Sequence, residues 1–374
     1  MCVFGTRPEA IKMCPIIKEL NLYNEFNVIV CSTGQHKEML EQVLSIFKIV
    51  PDYNLNVMKK NSSLSSLSAL MLDGISKVFE KERPDLVLVH GDTTTAFIAA
   101  LAAFYQKIPI GHVEAGLRTY NEYSPYPEEM NRRLISKLAK LHFAPTKVSR
   151  ENLCKEGIES NVYVTGNTAI DVLKTTVHSN YYFHQKILNG IDYEKRKCIL
   201  LTVHRRENLG KPLENIFSAV IELVDQNENL EIVYPVHLNP IIQECAYDCL
   251  SNIQRIHLVS PLDLLDMHNL MKRCFLIMTD SGGIQEEAPS CNVPVIVLRE
   301  ETERIEAVTE GAVLLSGTKK NDIIDNVTYL LKNREKYERI KMASNPYGDG
   351  NASKYITEKI LEWCDKLERT KIHG

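Results

Sequence analysis

No apolar run in the 374-residue sequence reaches the roughly 20 residues a membrane-spanning helix needs; the longest lies around Ala96 to Phe104. There is no Gly-x-Gly-x-x-Gly, which sets aside a dinucleotide fingerprint. There is no Cys-x-x-Cys pair and no two histidines stand four apart, so no zinc site is expected. The ten cysteines are scattered, with Cys31, Cys198 and Cys274 inside apolar runs, and read as reduced thiols of a cytosolic core. At a net charge of −4 there is neither a basic block to face nucleic acid nor an acidic tail to remain disordered. No leader is expected ahead of Met1, and the brevity of the first strand suggests a shortened N-terminus.

What is present is alternation. "FNVIVCS" (Phe26 to Ser32), "DLVLVHG" (Asp85 to Gly91), "PIGHVEAG" (Pro109 to Gly116) and "NVYVTG" (Asn161 to Gly166) are apolar on both faces, as buried parallel strands should be. Helical patterns separate them over Glu9–Leu20, Ser66–Phe79, Glu128–Leu138 and Val148–Lys155. After a weakly patterned stretch from His178 to Lys197 the strand signals resume at Cys198–His204, Leu230–Pro235, Arg255–Ser260, Cys274–Asp280, Val293–Leu298 and Ala312–Gly317. The expected fold class is α/β, with two Rossmann-like doubly wound domains facing a central cleft. The expected divisions are a first domain over 1–170, a second over 171–351, and a terminal helix over 352–374 that packs back on the first.

Chemistry-bearing residues gather where strands end. In "GTRPEAIK" Thr6 and Glu9 form a capping box, and Arg7 and Lys12 either serve an anionic ligand or are solvated. Asp92 in "HGDTTT" is a helix cap or a ligand-facing acid. Glu114, in "HVEAGLRT", ends an apolar run, where an unpaired acid is costly, so a partner or a catalytic task is expected. Glu128 and Glu129 open a helix and either complement its dipole or join these acids. In the second half His204, Arg205, Arg206 and Glu207 follow one strand and His237 another; a lone histidine is usually structural, but two on one rim suit an anionic ligand. "TDSGGIQEEAP" offers Ser281, Gly282 and Gly283 as a phosphate turn, with Glu287 one helical turn on to accept from ribose hydroxyls; Arg304 adds a further cation.

Taken together and in this order, these blocks resemble the UDP-N-acetylglucosamine 2-epimerase family, and its non-hydrolysing bacterial branch in particular. "TGNTAID" (Thr165 to Asp171) and "NPYGDGNAS" (Asn345 to Ser353) extend the resemblance across nearly the whole chain. It implies the GT-B arrangement, with UDP on the second domain at Ser281, Gly282, Gly283, Glu287 and Arg304, and Arg7 and Lys12 reaching it from the first. Asp92, Glu114, Glu128 and His204 match the family's catalytic group. Gln35, Arg205 and His237 match residues that bind a second, activating UDP-N-acetylglucosamine, whereas Glu38 and Asn61 depart from that pattern. Ile305 stands where relatives commonly have Pro, and "PLDLLDM" (Pro261 to Met267) replaces a run that lies beside uracil, with Leu262 and Met267 in place of a polar and an aromatic contact. A homodimer is implied, and neither a metal nor a nicotinamide is needed.

The chemistry so implied is inversion at C2 by elimination of UDP to a 2-acetamidoglucal and re-addition, supplying surface polysaccharides. It calls for carboxylates with raised pKa values and for cations that stabilise the departing diphosphate. A hydrolysing 2-epimerase, a glycosyltransferase of the same fold and a non-catalytic sugar-nucleotide sensor are the other readings.

Overall fold

The computed structural model describes residues 1–34, 37–57, 63–302 and 304–373. The chain divides into two compact units, Met1–Val172 with Tyr347–Gly374, and Leu173–Pro346. Among the described residues no helix is long and apolar enough to cross a membrane.

The first unit holds a seven-stranded sheet of β1 (Cys2–Phe4), β2 (Val30–Ser32), β3 (Tyr53–Asn54), β4 (Val87–His90), β5 (Ile110–Val113), β6 (Leu141–Ala144) and β7 (Val162–Val164). All neighbours run parallel in the order β3-β2-β1-β4-β5-β6-β7. The strands are apolar on both faces because helices cover both: Val3, Phe4, Val87, Val89 and Phe143 are wholly buried. Strand order reverses between β1 and β4, so the turns at Gly5–Thr6 and Gly91–Thr93 flank the switch point, where open α/β sheets bind ligands. The longest apolar run is the helix Thr94–Tyr105, whose Ala96, Ala99, Ala100, Ala102 and Ala103 are buried and admit the helix Leu64–Glu82 at close range.

In the second unit the sheet comprises β8 (Lys197–Thr202), β9 (Leu230–Pro235), β10 (Ile256–Val259), β11 (Leu276–Thr279), β12 (Val295–Val297) and β13 (Val313–Leu315). Its order, β10-β9-β8-β11-β12-β13, is again parallel throughout and reverses between β8 and β11. The loops carrying His204 and Ser281 therefore flank this second switch point. The segment from His178 to Lys197 is tied to the helix Leu264–Arg273: Asp266 accepts from the Tyr181 hydroxyl at 2.7 Å, His184 N at 3.0 Å and Gln185 N at 2.9 Å.

Residues 347–351, assigned from sequence to the second domain, lie with the first unit. The physical reason is a pair of long-range ties. Asn167 N donates to Tyr347 O at 2.7 Å, and the buried Asp171 carboxylate accepts from Ala352 N at 3.1 Å and Ser353 N at 2.7 Å. Asp171 thus satisfies orphan N–H groups of the helix Ala352–His373, which packs on the helix Arg7–Leu20.

Candidate functional site

In the first unit, a single buried carboxylate joins the two switch-point turns. Glu9 Oε2 accepts from Gly5 N at 3.1 Å and Thr6 N at 2.8 Å, while Oε1 accepts from the Thr93 hydroxyl at 2.6 Å. Burial pushes the Glu9 carboxyl up, and these hydrogen bonds only partly offset it. Gly5 is required by close approach, since a Cβ there would strike Thr33 Oγ1 and Thr95 Oγ1. Thr93, not Asp92, caps the next helix, accepting from Ala96 N at 3.0 Å. The Asp92 carboxylate is instead paired with Arg132 of the helix Glu128–Leu138.

Glu114 directly follows β5 with φ +61°, left-handed backbone that non-glycine residues seldom adopt. Its Oε2 accepts from Lys12 Nζ and from Asn167 Nδ2, the latter at 3.0 Å, and lies 3.6 Å from His90 Nε2. Lys12 is therefore engaged within this unit. Oε1 stands 3.8 Å from where a Cβ on Gly91 would be, which sets Glu114 beside the turn bearing Asp92. His112, which burial pushes down to about 3 and so keeps neutral, bonds the Gly91 carbonyl at 2.7 Å and fixes that turn. Burial alone would raise the Glu114 carboxyl, but the Lys12 and His90 charges outweigh it and hold the group well below the ordinary carboxylate range. The expectation of a raised pKa fails here, because a cation sits on the acid.

Structure separates the two acids that open the helix Glu128–Leu138. Glu129 is fully buried and accepts from Thr119 N at 3.0 Å and Tyr120 N at 3.1 Å, so it organises the preceding loop. Glu128 is half-buried and makes no hydrogen bond or ion pair among the described residues; the same holds for Arg7. Both remain available to a ligand.

Asp280 is the hub of the second unit's switch point. It follows β11 and is wholly buried; its Oδ2 accepts from His204 N at 2.9 Å, Arg205 N at 2.8 Å and Asn208 Nδ2 at 3.0 Å. His204 Nδ1 lies 3.6 Å from Asp280 Oδ1, and the His204 ring sits 5.6 Å from that of His237. Burial lowers the pKa of His204, with His237 and Arg205 adding to it and Asp280 opposing it, so the ring is neutral at pH 7. Arg205 Nε donates to Asp280 O at 2.9 Å, and His237 Nδ1 accepts from Asn239 N at 3.1 Å. Of the three residues matched to an activator site, Gln35 lies outside the described residues, as do Asn61 and the Glu38 side chain.

Ser281 occupies the N-cap of the short helix Gly282–Glu287 without a side-chain cap, which leaves N–H groups of Gly282 and Gly283 for a ligand. The Arg304 guanidinium lies over Gly282, where any Cβ would strike it, and is paired with Glu286 through Nη2 at 2.7 Å and Nε at 2.8 Å. Glu287 carries a partner that sequence reasoning missed: Oε2 lies 3.2 Å from Nε2 of the buried His268, whose Nδ1 is 2.7 Å from the Thr176 hydroxyl. One group of metal-ligand types converges among the described residues, His184, Asp263 and Asp266, but both Asp266 oxygens already accept N–H or O–H groups.

Sequence reasoning also passed over Asp280, His90, Arg132 and Asn167. Asp280 could have been found by the signal that singled out Glu114, an acid at the end of an apolar run. The other three act through partners more than twenty residues away, which no local pattern records.

Residues 18–361 match the family model described as UDP-N-acetylglucosamine 2-epimerase. The UDP-N-acetylglucosamine 2-epimerase of Bacillus subtilis is 49% identical over 362 residues, covering 96% of this chain and 94% of its own. The crystal structure of UDP-GlcNAc 2-epimerase from Neisseria meningitidis bound to UDP-GlcNAc is 49% identical with a TM-score of 0.86, covering 96% of this chain and 99% of that one. The S. aureus protein MnaA, solved with UDP, is 49% identical with a TM-score of 0.87 over 98% of this chain and 96% of its own.

Proposed function

The chain belongs to the UDP-N-acetylglucosamine 2-epimerase family, and we propose that it reversibly interconverts UDP-N-acetylglucosamine and UDP-N-acetylmannosamine without net hydrolysis. The observation that carries this reading is the likeness, along nearly the whole chain, to an enzyme bound to UDP-GlcNAc. In the forward direction the C1–O bond to UDP breaks, the C2 proton leaves to a carboxylate, and a C1–C2 double bond forms. UDP then adds back to C1 while C2 takes a proton on the opposite face.

Asp92, Glu114 and Glu128 are the groups assigned to the C2 proton. Glu114, held ionised by Lys12 and His90, suits acceptance better than delivery. A carboxylate of low pKa is a weak base, which favours C1–O cleavage running ahead of C2 deprotonation, since positive charge growing at C1 acidifies C2. Negative charge then builds on the departing diphosphate. In the second unit the Gly282 and Gly283 N–H groups, Ser281 and Arg304 are the donors assigned to it, with His204 assigned to the reacting group and Glu287 to the ribose; in the first unit Arg7, which makes no hydrogen bond or ion pair among the described residues, is assigned to it as well. The chain is proposed to work as a cytoplasmic homodimer that supplies surface-polysaccharide synthesis, with Arg205 and His237 contacting a second, activating UDP-N-acetylglucosamine.

Proton NMR of UDP-N-acetylglucosamine with the protein in D2O tests the reaction directly. The expected result is a mixture of both epimers with deuterium at C2. Free N-acetylmannosamine and UDP as the main products would replace this reading by the hydrolysing one. Light scattering after gel filtration tests the dimer, which a monomeric mass would exclude.

A further inference from the structure

We propose that Asp280 is a positioning residue for His204, its buried Oδ1 holding the His204 Nδ1 proton so that Nε2 is the nitrogen offered to the ligand. This rests on the reading of His204 as a member of the reacting group. The loop after β8 uses only one carboxylate oxygen of Asp280: Oδ2 accepts the three N–H groups by which this carboxylate holds the loop, from His204, Arg205 and Asn208. Oδ1 is surplus to that task. It is buried, has no hydrogen bond, and lies 3.6 Å from His204 Nδ1.

A buried carboxylate oxygen without a donor is unfavourable, so a group that leaves one unmet is held there for a reason other than packing. At 3.6 Å the contact is an ion-pair separation and not yet a hydrogen bond; side chains of this kind close up when a ligand seats. The surrounding frame is rigid enough to aim the pair. Thr202 and Thr279 join β8 to β11 through their hydroxyls at 2.6 Å, and the Tyr234 hydroxyl donates to Val203 O at 3.1 Å. A carboxylate only accepts, so the nitrogen facing it must carry hydrogen. Asp280 is also the one group favouring the imidazolium, against burial, the His237 ring and the Arg205 guanidinium.

Asp280→Asn is the informative variant, because its Oδ1 can still accept the three loop N–H groups while an NH2 replaces the oxygen facing His204. We expect kcat to fall by roughly 10-fold or more, with KM and the UDP dissociation constant changed by less than about 2-fold. In a His204→Gln background the same substitution should change kcat by less than about 2-fold, since the positioned group is already gone. Losses that multiply in the double variant would make Asp280 a loop anchor only and overturn the proposal.

Nitrogen-15 NMR of the unsubstituted protein, with His204 assigned by its loss in His204→Gln, supplies a readout that survives misfolding of Asp280→Asn. The expected neutral tautomer has Nδ1 protonated; a ring protonated at Nε2 alone would overturn the proposal. Unchanged turnover in His204→Gln would remove His204 from catalysis and the proposal with it, while the tautomer still reports whether the pair exists.

Discussion

At the scale of single residues, neighbours decide between roles that composition leaves open. Asp92 and Thr93 are both capable helix caps, and Glu128 and Glu129 both suit a first turn. Thr93 caps and Glu129 holds backbone, so neither task falls to Asp92 or Glu128, the two proposed for the reaction. Asp92→Asn should therefore cut kcat at least ~100-fold, the scale of acid–base groups, while UDP still binds. Thr93→Ala should instead cost about 2 to 4 kcal/mol in thermal or urea unfolding, because it removes the cap and the donor to the buried Glu9 Oε1 together. Near-normal turnover in Asp92→Asn would return that residue to a structural role.

Glu114 yields a prediction in pH. Its folded pKa is depressed below the ordinary value of 4.5, so it contributes stability above the unfolded pKa, and this is lost as pH falls through the lower folded one. It stays ionised through the neutral and mildly acidic range. The acid limb of the kcat/KM profile should therefore show no step from Glu114 at or above pH 4.5. In Lys12→Met, which removes the leading charge, such a step should move upward, because burial then acts with less opposition. An acid limb unchanged between the two proteins would exclude Glu114 as the group that titrates.

At the scale of elements, the strands were the legible part. Buried parallel strands are continuous apolar runs, so Leu230–Pro235 was located to the residue and most others to within two or three. β3 and β6 escaped, and β3 has only two residues. The helix Thr94–Tyr105 stood out only as an apolar run, since its alanines give it no polar face to set a period. The candidate residues were legible as types at strand ends, whereas their partners were not. Glu9 with Thr93, Asp171 with Ser353 and Glu287 with His268 are distant along the chain or unremarkable locally. Asp171→Ala tests one such tie. It should destabilise the protein by about 1 to 2 kcal/mol, the cost of an N-terminal helix acceptor, and raise amide exchange at Ala352 and Ser353 ahead of the rest of the first unit. Uniform exchange across that unit would show the tie to be dispensable.

At the scale of the molecule, the six strands of the second unit follow the order of the first six of the first unit, which adds β7 at its edge, and in each the reversal lies between turns that carry candidate residues. That coincidence was open to sequence reading once alternation was recognised, because the motifs sit after the strands that flank each reversal. The return of the terminal helix to the first unit was read from the sequence, but the membership of residues 347–351 was not, since it depends on hydrogen bonds that link residues 167 and 171 to 347 and beyond. Deleting residues 352–373 should speed proteolysis within the first unit and leave fragments of the second comparatively resistant. Equal loss of both would mean that the terminal helix supports the whole chain.

The return of the chain at Tyr347 also bears on the order of events during synthesis. The second unit is one uninterrupted stretch, whereas the first is split by it. On the ribosome, all the strands of the first sheet emerge before the second unit, but the helix that covers Arg7–Leu20 and is anchored by Asp171 emerges only after it. The unit carrying Asp92 and Glu114 can therefore start to fold before the second unit and finish only after it. A stalled or truncated chain can hold a complete second unit while lacking a finished first one.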